Sequence, residues 1–501
     1  MTMTPAQLAV LLARLNGIAE QMGIVLRRSA YSPNIKERAD SSAALFTASG
    51  EVVAQAAHIP VHLGAMPASV VAAITALPDP RPDDHVVVND PFAGGTHLND
   101  VTLVTPVFVD EVLAGWVATR AHHADVGGSA PGSMPADARE IFAEGLRIPP
   151  VRLTPEVRAL FLANTRTPGE RAGDLDAQLG ANRVGAATFA SLMSTGIDVR
   201  EAIAYGERRM RAAVAAIDDG EYRFVDRLDS GTAIRVCVRV AGDEIEFDFT
   251  GTDPQSPGNV NAVEAVTVSA VGFAVRAAID PGAPANGGAL RPVRVIAPRG
   301  SVVAADAPAA VAAGNVEVSQ RIADVCLGAL AQALPDRVGA ASQGTMNNLL
   351  LGGRGWAYYE TVGGGQGARP GRDGMSGVHT VMTNTQNTPI EALERAYPVR
   401  VRRLRLRTGS GGEGQWRGGD GIERDIELLE PTTVTLITER RVTAPWGLDG
   451  GDDGATGENW LLPGGDEGRA KQLPYSVTFD GVAGDIVRVR TPGGGGWGKG
   501  H

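Results

Sequence analysis

The chain has 501 residues, of which 43% are hydrophobic and 21% charged, as is typical of a soluble globular enzyme. Its net charge of −11 argues against nucleic acid as a partner, because phosphate binding relies on clustered Lys and Arg. Two cysteines provide no disulfide framework, and no apolar stretch reaches the roughly 18 residues of a spanning helix, so we expect a cytoplasmic protein without a membrane segment.

The first thirty residues predict an amphipathic helix. Thr4, Pro5 and Gln7 form a capping-box pattern, and apolar residues recur at helical spacing from Leu8 onward. The segment lacks a basic region before the apolar run and a small-residue cleavage site after it. We therefore expect a docked helix rather than a targeting signal.

The next stretch of the chain predicts strands and helices in alternation. "SAALFTASGEVVAQAA" predicts a β-hairpin, "HLGAMPASVVAAITAL" a helix, and "DHVVVNDPFAGG" a buried strand that enters a loop. "DVTLVTPVFV" and "LAGWVATRAHH" predict an antiparallel pair of strands joined by "DEV".

Residues 136–146 and 155–216 have helical spacing and predict a helical layer. From about residue 220, "EYRFVDRLD", "AIRVCVRVAG" and "EIEFDFTGT" alternate as half-buried antiparallel strands do. Helices are then predicted in "NAVEAVTVSAVGFAVRAAI" and "SQRIADVCLGALAQAL", before a final part rich in strands and glycine turns.

The predicted fold class is α+β, with interleaved antiparallel sheets and helices. We divide it into an N-terminal α+β region (1–220), a central α+β region (221–340) and a C-terminal region rich in glycine and strands (341–501). The 64 glycines have no triplet period and indicate tight turns and close backbone approaches. No linker sharpens either boundary.

Two glycine motifs resemble nucleotide loops without their context. "GSGGEG" has dinucleotide-loop spacing, but "QWRGGDG" follows it and cannot form the required helix. "GGGGWGKG" has P-loop spacing, but glycine replaces the required Ser or Thr and no helix can follow. The basic run "YPVRVRRLRLRTGSGG" indicates a strand with a charged, solvated or interface face. We therefore predict no nucleotide site in this chain.

Histidines and carboxylates concentrate in two short segments, "GGTHLND" and "RAHHADVGG". His97 and Asp100 are three apart in a loop, where a turn can bring their side chains together, whereas a strand would separate them. Imidazole and carboxylate are ligands of divalent Zn, Mn or Fe. Adjacent strand residues point oppositely, so only one of His122 and His123 can join the pair. The alternative is a hydrogen-bonded polar turn without metal.

The other histidines have weaker context. His58 and His62 have i, i+4 spacing, but an intervening proline interrupts it, so structural polar contacts are expected for them. His379 lies in a polar segment that could line a cleft. His85 and His501 are expected to be incidental.

The chain resembles the hydantoinase B/oxoprolinase family, which includes the B component of ATP-dependent N-methylhydantoinase, the C-terminal part of 5-oxoprolinase and the acetone carboxylase alpha subunit. The resemblance extends in order from about residue 30 to the C-terminus. It rests on "SPNIKERADSSAALFTASGEVVAQAAHIPVHLGAM", "NDPFAGGTHLNDVTLVTPVF", "RAHHADVGGSAPGSMP", "PGNVNAVEAVTVSAV", "PANGGALRPVRVIAPRGSVV", "GNVEVSQRIADV", "GSGGEGQWRGGDGIERDI" and "TPGGGGWG".

The resemblance implies a two-component enzyme. A hydantoinase A-type partner uses ATP to phosphorylate a carbonyl or carboxyl oxygen, and the B-type chain handles the activated intermediate in a hetero-oligomer. It further implies a divalent metal (Mn, Zn or Fe) held by His97, Asp100 and His122, which selects His122 over His123. His123 and Asp125 would then be the candidates for proton transfer or for supporting the ligands.

Three functions follow as hypotheses. The first is ATP-dependent opening of a small cyclic amide such as a hydantoin, 5-oxoproline or related lactam. The second is the metal-containing subunit of an ATP-dependent ketone carboxylase. The third is a scaffold subunit without catalysis. These motifs do not separate the first two, although no extra segment of the chain can be tied to the additional small subunit of acetone carboxylase, which favours the hydrolase.

Overall fold

The computed structural model describes residues 3–57 and 59–500, and its fold is α+β as predicted. The helices are α1 (Pro5–Ser29), α2 (Pro33–Lys36), α3 (Ala65–Ala76), α4 (Pro155–Ala163), α5 (Pro168–Met193), α6 (Arg200–Val214), α7 (Glu264–Ala278), α8 (Ser319–Ala333) and α9 (Ile390–Ala396).

The strands from the N-terminal half are β1 (Ser41–Thr47), β2 (Val52–Ala57), β3 (Val86–Val88), β4 (Asp100–Val109), β5 (Val112–His122), β6 (Val151–Arg152), β7 (Gly220–Arg227), β8 (Ala233–Ala241) and β9 (Glu244–Asp248). The later strands are β10 (Val293–Ile296), β11 (Asn348–Gly353), β12 (Trp356–Thr361), β13 (Val399–Arg407), β14 (Gly421–Leu428), β15 (Thr432–Ile437), β16 (Glu458–Leu462), β17 (Lys471–Leu473), β18 (Ser476–Gly481) and β19 (Ile486–Arg490).

The first sheet has the order β2-β1-β5-β4-β3-β6 and lies between helices on both faces. On one face, Leu11 and Leu15 of α1 and Phe189 of α5 pack on Leu45 of β1. On the other, α3 covers Trp116 and its neighbours. Burial of each Leu or Phe side chain stabilises the fold by roughly 1.5–3 kcal/mol. Because both faces of the sheet bury such side chains, alternate residues of β5 pack into two separate cores.

The start of α1 confirms the predicted capping box. The Thr4 side chain accepts from the Gln7 backbone, and the Gln7 side chain accepts from Thr4. By length and composition alone α1 could cross a membrane, and a third of its apolar window (33%) is buried against the protein. The expectation that no stretch meets the spanning criterion was therefore wrong for α1.

The predicted helix over 136–146 was wrong, whereas α4, α5 and α6 confirm the helical layer over 155–216. Among the described residues, the 136–146 segment has only the short 3-10 turn Ile141–Ala143. Its backbone groups are engaged elsewhere: the Ile141 N–H donates to Pro308, and the Ala143 carbonyl accepts from Ser129. Tertiary hydrogen bonds therefore override a helical pattern in this segment.

The second sheet, β10-β9-β8-β7, packs against α8, and α8 packs against α7. Cys326 of α8 is buried in this core and Cys237 is buried on β8, both as free thiols, as expected. Just before α8, Gly314–Val318 forms a π-helical turn, a local irregularity that is frequent at functional sites.

Two further sheets, β12-β11-β15-β18 and β13-β14-β19-β16-β17, form the C-terminal part. Beside them, the glycine-rich segments run against one another: Gly412 donates to Gly494, Gly494 to Gly419, and Gly365 to Pro492. A Cβ on Gly365 would overlap the backbone of Gly419 and Gly494. The motifs that resemble nucleotide loops are therefore packed backbone to backbone.

Candidate metal centre

Three predicted residues meet at one end of the first sheet. Asp100 begins β4 and lies directly opposite His122, the last residue of β5. The Asp100 N–H donates to the His97 carbonyl at 3.1 Å, which closes the turn that brings His97 over Asp100. All three side chains are buried, with exposures of 0% for His97, 1% for Asp100 and 2% for His122.

The three side chains converge through one atom each. His97 Nε2 lies 3.2 Å from Asp100 Oδ1 and 3.2 Å from His122 Nδ1, and His122 Nδ1 lies 3.4 Å from Asp100 Oδ1. Tetrahedral zinc with bonds of about 2.0–2.1 Å sets its ligand atoms about 3.4 Å apart. The group could therefore hold a metal ion, as its donor set and spacing fit one.

The loop that carries His97 depends on a glycine. Gly94 has φ +88°, and a Cβ there would lie 2.6 Å from the carbonyl oxygen of Ala68 in α3. Asn99 fastens the other end of the loop, since its side chain donates to the His123 carbonyl at 2.9 Å and its carbonyl accepts from the His123 N–H at 2.8 Å. The histidine is thus held by fixed backbone on both sides.

Asp100 is supported by neighbours on its second oxygen. Thr96 donates its hydroxyl to Asp100 Oδ2 at 2.5 Å, and Asn315 of the π-helical turn donates at 3.4 Å. His62 Nε2 lies 3.3 Å from the same oxygen, and its Nδ1 pairs with Ser42 at 2.9 Å. These contacts fix the carboxylate so that Oδ1 faces His97 and His122.

The electrostatics favour an ionised Asp100 carboxylate and a neutral His122 imidazole. Burial raises the pKa of Asp100, but His97, His62 and the hydrogen bonds from His122 and His62 outweigh it and hold the pKa well below its usual value. Burial lowers the pKa of His122 to about 3, against the opposing hydrogen bond to Asp100. Ionised Asp and neutral His are the states that bind metals.

A second layer surrounds His122. The Tyr359 ring stacks on its imidazole with centroids 4.3 Å apart, and the Tyr359 hydroxyl donates to Asn348 at 2.9 Å. Asn348 in turn donates to Glu317 Oε1 at 2.8 Å. Burial raises the pKa of Glu317 well above its usual value and so favours its protonated form.

His122 and His123 point to opposite faces, as strand alternation predicted. His123 Nε2 lies 3.0 Å from Gln178 Oε1 of α5, and its ring meets Phe161 edge-on. Asp125 accepts from the Gly127 and Gly132 backbones and binds Arg166 at 2.9 Å. His123 and Asp125 were predicted to serve proton transfer or to support the ligands. Their side chains contact Gln178, Phe161 and Arg166 rather than the three side chains of the metal centre.

The remaining histidines differ in their positions and contacts. His62, expected to make a structural polar contact, belongs to the Asp100 cluster. His379 lies in the wall of a cavity, as its polar segment suggested. His85 pairs with the Thr105 hydroxyl at 2.7 Å. His58 and His501 lie outside the described residues.

Sequence reasoning missed Asp40, Asn315 and Glu317 as members of this region. The Asp40 carbonyl accepts from the His122 N–H, and burial raises the pKa of its carboxyl to about 7. Asn315 and Glu317 come from a helix more than 200 positions later in the chain. The segment "GNVEVSQ" offered one signal, since it places Asn and Glu inside an otherwise apolar helical pattern.

Comparison with known proteins adds the family context. The family model described as Hydantoinase B/oxoprolinase matches residues 4–500. A protein of unassigned function from Methanocaldococcus jannaschii is 43% identical, over 96% of this chain and 88% of that protein. 5-oxoprolinase 1 of Arabidopsis thaliana is 40% identical over 98% of this chain, which spans only 42% of that protein.

A protein of Pseudomonas sp. (strain NS671), provisionally named as the B component of a D-/L-hydantoinase, is 32% identical over 99% of this chain and 90% of its own length. Among solved structures, the ATP-dependent caprolactamase from Pseudomonas jessenii matches 100% of this chain and 92% of its own, with TM-score 0.93 and 29% identity. Nucleotide-free acetone carboxylase shares the fold at TM-score 0.91 and 18% identity, over 99% of this chain and 76% of its own.

Proposed function

The chain belongs to the hydantoinase B/oxoprolinase family, and from that premise we propose that it is the B-type subunit of an ATP-dependent cyclic amide hydrolase. Its substrate is a hydantoin, 5-oxoproline or a related lactam. The observation that carries the proposal is the buried triangle of His97, Asp100 and His122, in a chain that matches a caprolactamase over its whole length.

ATP use is assigned to a hydantoinase A-type partner. One relative is provisionally named as a hydantoinase B component, and the chain spans about two fifths of the length of the 5-oxoprolinases it matches. These facts support a division in which another chain activates the amide. The partner transfers the γ-phosphoryl group of ATP to the amide oxygen, and one water adds to the amide carbon. The ring C–N bond breaks as nitrogen takes a proton, which leaves an acyl phosphate, and a second water hydrolyses the acyl phosphate to carboxylate and inorganic phosphate.

The residues of this chain hold and orient the reacting groups. His97, Asp100 and His122 would bind a divalent cation (manganese, zinc or iron), which when present supplies Lewis acidity at a carbonyl or phosphoryl oxygen. If Nδ1 of His122 binds the cation, the neutral ring would carry its proton on Nε2. That buried atom has no hydrogen-bond partner among the described residues. We assign it as a donor to a substrate oxygen.

The test is co-expression with the ATPase-like partner, followed by ATP turnover assays on hydantoins, lactams and ketones, with and without bicarbonate. We expect ATP-dependent ring opening that falls at least 100-fold in His97→Ala while size-exclusion chromatography shows an intact hetero-oligomer. His85→Ala, a histidine outside the site, is the matched control. Carboxylation of a ketone that requires bicarbonate would replace the proposal with the carboxylase, and full activity of His97→Ala would leave the chain a scaffold.

A further inference from the structure

A cavity of about 430 Å³ lies beside the metal centre, a volume suited to a small ligand. Its wall includes the segment around His379, Thr380 and Thr383, with Arg337 and Arg369 at its rim. No role for this cavity follows from the metal-centre residues, because none of them lines it.

The cavity and the metal centre share their supporting elements. Pro60 lines the cavity, and His62 of the same 3-10 turn contacts Asp100. Gln320 donates to the Thr380 carbonyl at 3.2 Å and lies about one helical turn after Asn315, which donates to Asp100. The cavity and the metal centre are therefore adjacent, because the same two short segments of chain contact both.

The charge of the cavity wall is opposite to that of the chain. Within the described part of the protein, no Asp or Glu lines the cavity, although the chain carries a net charge of −11. Arg337 and Arg369 are exposed, and neither has a described carboxylate within 4.0 Å. Arg337 is fixed by donation of Nη1 to the Ile279 carbonyl at 3.1 Å, which leaves its other nitrogen atoms for a ligand.

The buried part of the wall also offers hydrogen-bonding groups. Thr380 and Thr383 are 5% and 3% exposed, and the hydroxyl of each is buried without a hydrogen-bond partner among the described residues. The same holds for Nδ1 of His379. Unpartnered buried polar atoms destabilise a fold, so several in one cavity wall indicate that a ligand completes them.

We propose that this cavity binds an oxyanion of the substrate, with Arg337 and Arg369 as the residues that select for charge and Thr380 and Thr383 as donors. Its chemistry fits either a carboxylate on the cyclic amide or the phosphoryl group of the activated intermediate. This inference rests on the proposed function and deepens it, because it assigns a charged substrate to a site whose family members act on amides of several kinds.

The test is calorimetric binding to the full chain, alone and as the co-expressed complex. The probes are 5-oxoproline, 2-pyrrolidinone (the same lactam without the carboxylate) and inorganic phosphate. We expect the wild type to bind 5-oxoproline at least tenfold more tightly than 2-pyrrolidinone. The double variant Arg337→Gln/Arg369→Gln should lose that preference, whereas Arg372→Gln, an exposed neighbour outside the cavity wall, should keep it.

The probes separate the two sources of the oxyanion. If the double variant loses affinity for 5-oxoproline but not for phosphate, the cavity binds the carboxylate. If it loses affinity for phosphate and keeps the preference for 5-oxoproline, the cavity binds the phosphoryl group. Unchanged affinity of the double variant for both probes, or a wild type that neither prefers 5-oxoproline nor binds phosphate in either preparation, overturns the proposal. Because binding is measured without turnover, a retained preference in a complex that opens no ring refutes only the proposed function.

Discussion

Replacing Arg38 with lysine tests how the second layer positions His122. Arg38 is fully buried, lies 5.1 Å from the Tyr359 ring centroid, and that ring stacks on His122. All five guanidinium hydrogen bonds are made, to Asn34, Tyr359, Thr361, Thr385 and Gln386.

A lysine ammonium is a compact charge with three donors and cannot bridge these partners. At least two of the five bonds are lost, and each bond to a charged group contributes about 1.5–3 kcal/mol, so we expect a loss of about 3–6 kcal/mol. At about 2.1 cal/mol/K per residue, the unfolding entropy of this chain is about 1 kcal/mol/K. The melting temperature should therefore fall by about 3–6 °C.

The assay is differential scanning calorimetry of Arg38→Lys beside Arg28→Lys, an exposed arginine near the end of the same N-terminal segment. Arg28→Lys should melt within about 0.5 °C of the wild type, since surface changes cost little. If Arg38→Lys melts within about 1 °C of the wild type, or if both variants shift equally, the hydrogen bonds of Arg38 do not contribute the expected stability.

Three further predictions concern the site and its surroundings. His122→Ala should bind metal at least 100-fold more weakly, as measured by metal analysis after dialysis, whereas His123→Ala should retain the metal. Equal losses of metal in the two variants would contradict the assignment of only His122 to the metal centre. His123→Ala should instead lower the free energy of unfolding by about 1–3 kcal/mol in urea titrations, because Gln178 loses its partner. Burial raises the pKa of Glu144 to about 8, so the folded state binds its proton more tightly than the unfolded chain. Stability should fall as pH rises from about 4.5 to about 8, by at most about 5 kcal/mol, and Glu144→Gln should flatten that slope; an unchanged slope would contradict it.

The sequence predicted those parts of the site that depend on local geometry. The turn at His97 follows from a loop that enters an antiparallel hairpin, and alternation assigned only one of two adjacent histidines to the site. The family resemblance, not the geometry, selected His122. The capping box at Thr4 and the strands of the first sheet were predictable for the same reason, since each depends on neighbours within a few positions.

Contacts between distant segments were not predictable from one sequence. His62 reaches Asp100 because a proline-started 3-10 turn folds over the sheet end, and i, i+4 spacing gave no indication of it. Asn315 arrives from a π-helical turn before α8, which no periodicity predicts. Residues 136–146 do not form the predicted helix, because their backbone N–H and carbonyl groups form hydrogen bonds with other segments of the chain.

We propose that a divalent metal on His97, Asp100 and His122 is required for ATP-dependent opening of a cyclic amide. The most direct test is the ring-opening rate of the co-expressed complex as metal is removed by a chelator and then restored. We expect the rate to fall in proportion to metal content and to recover on readdition, with the hetero-oligomer intact throughout. A complex that opens rings at full rate without metal would contradict it.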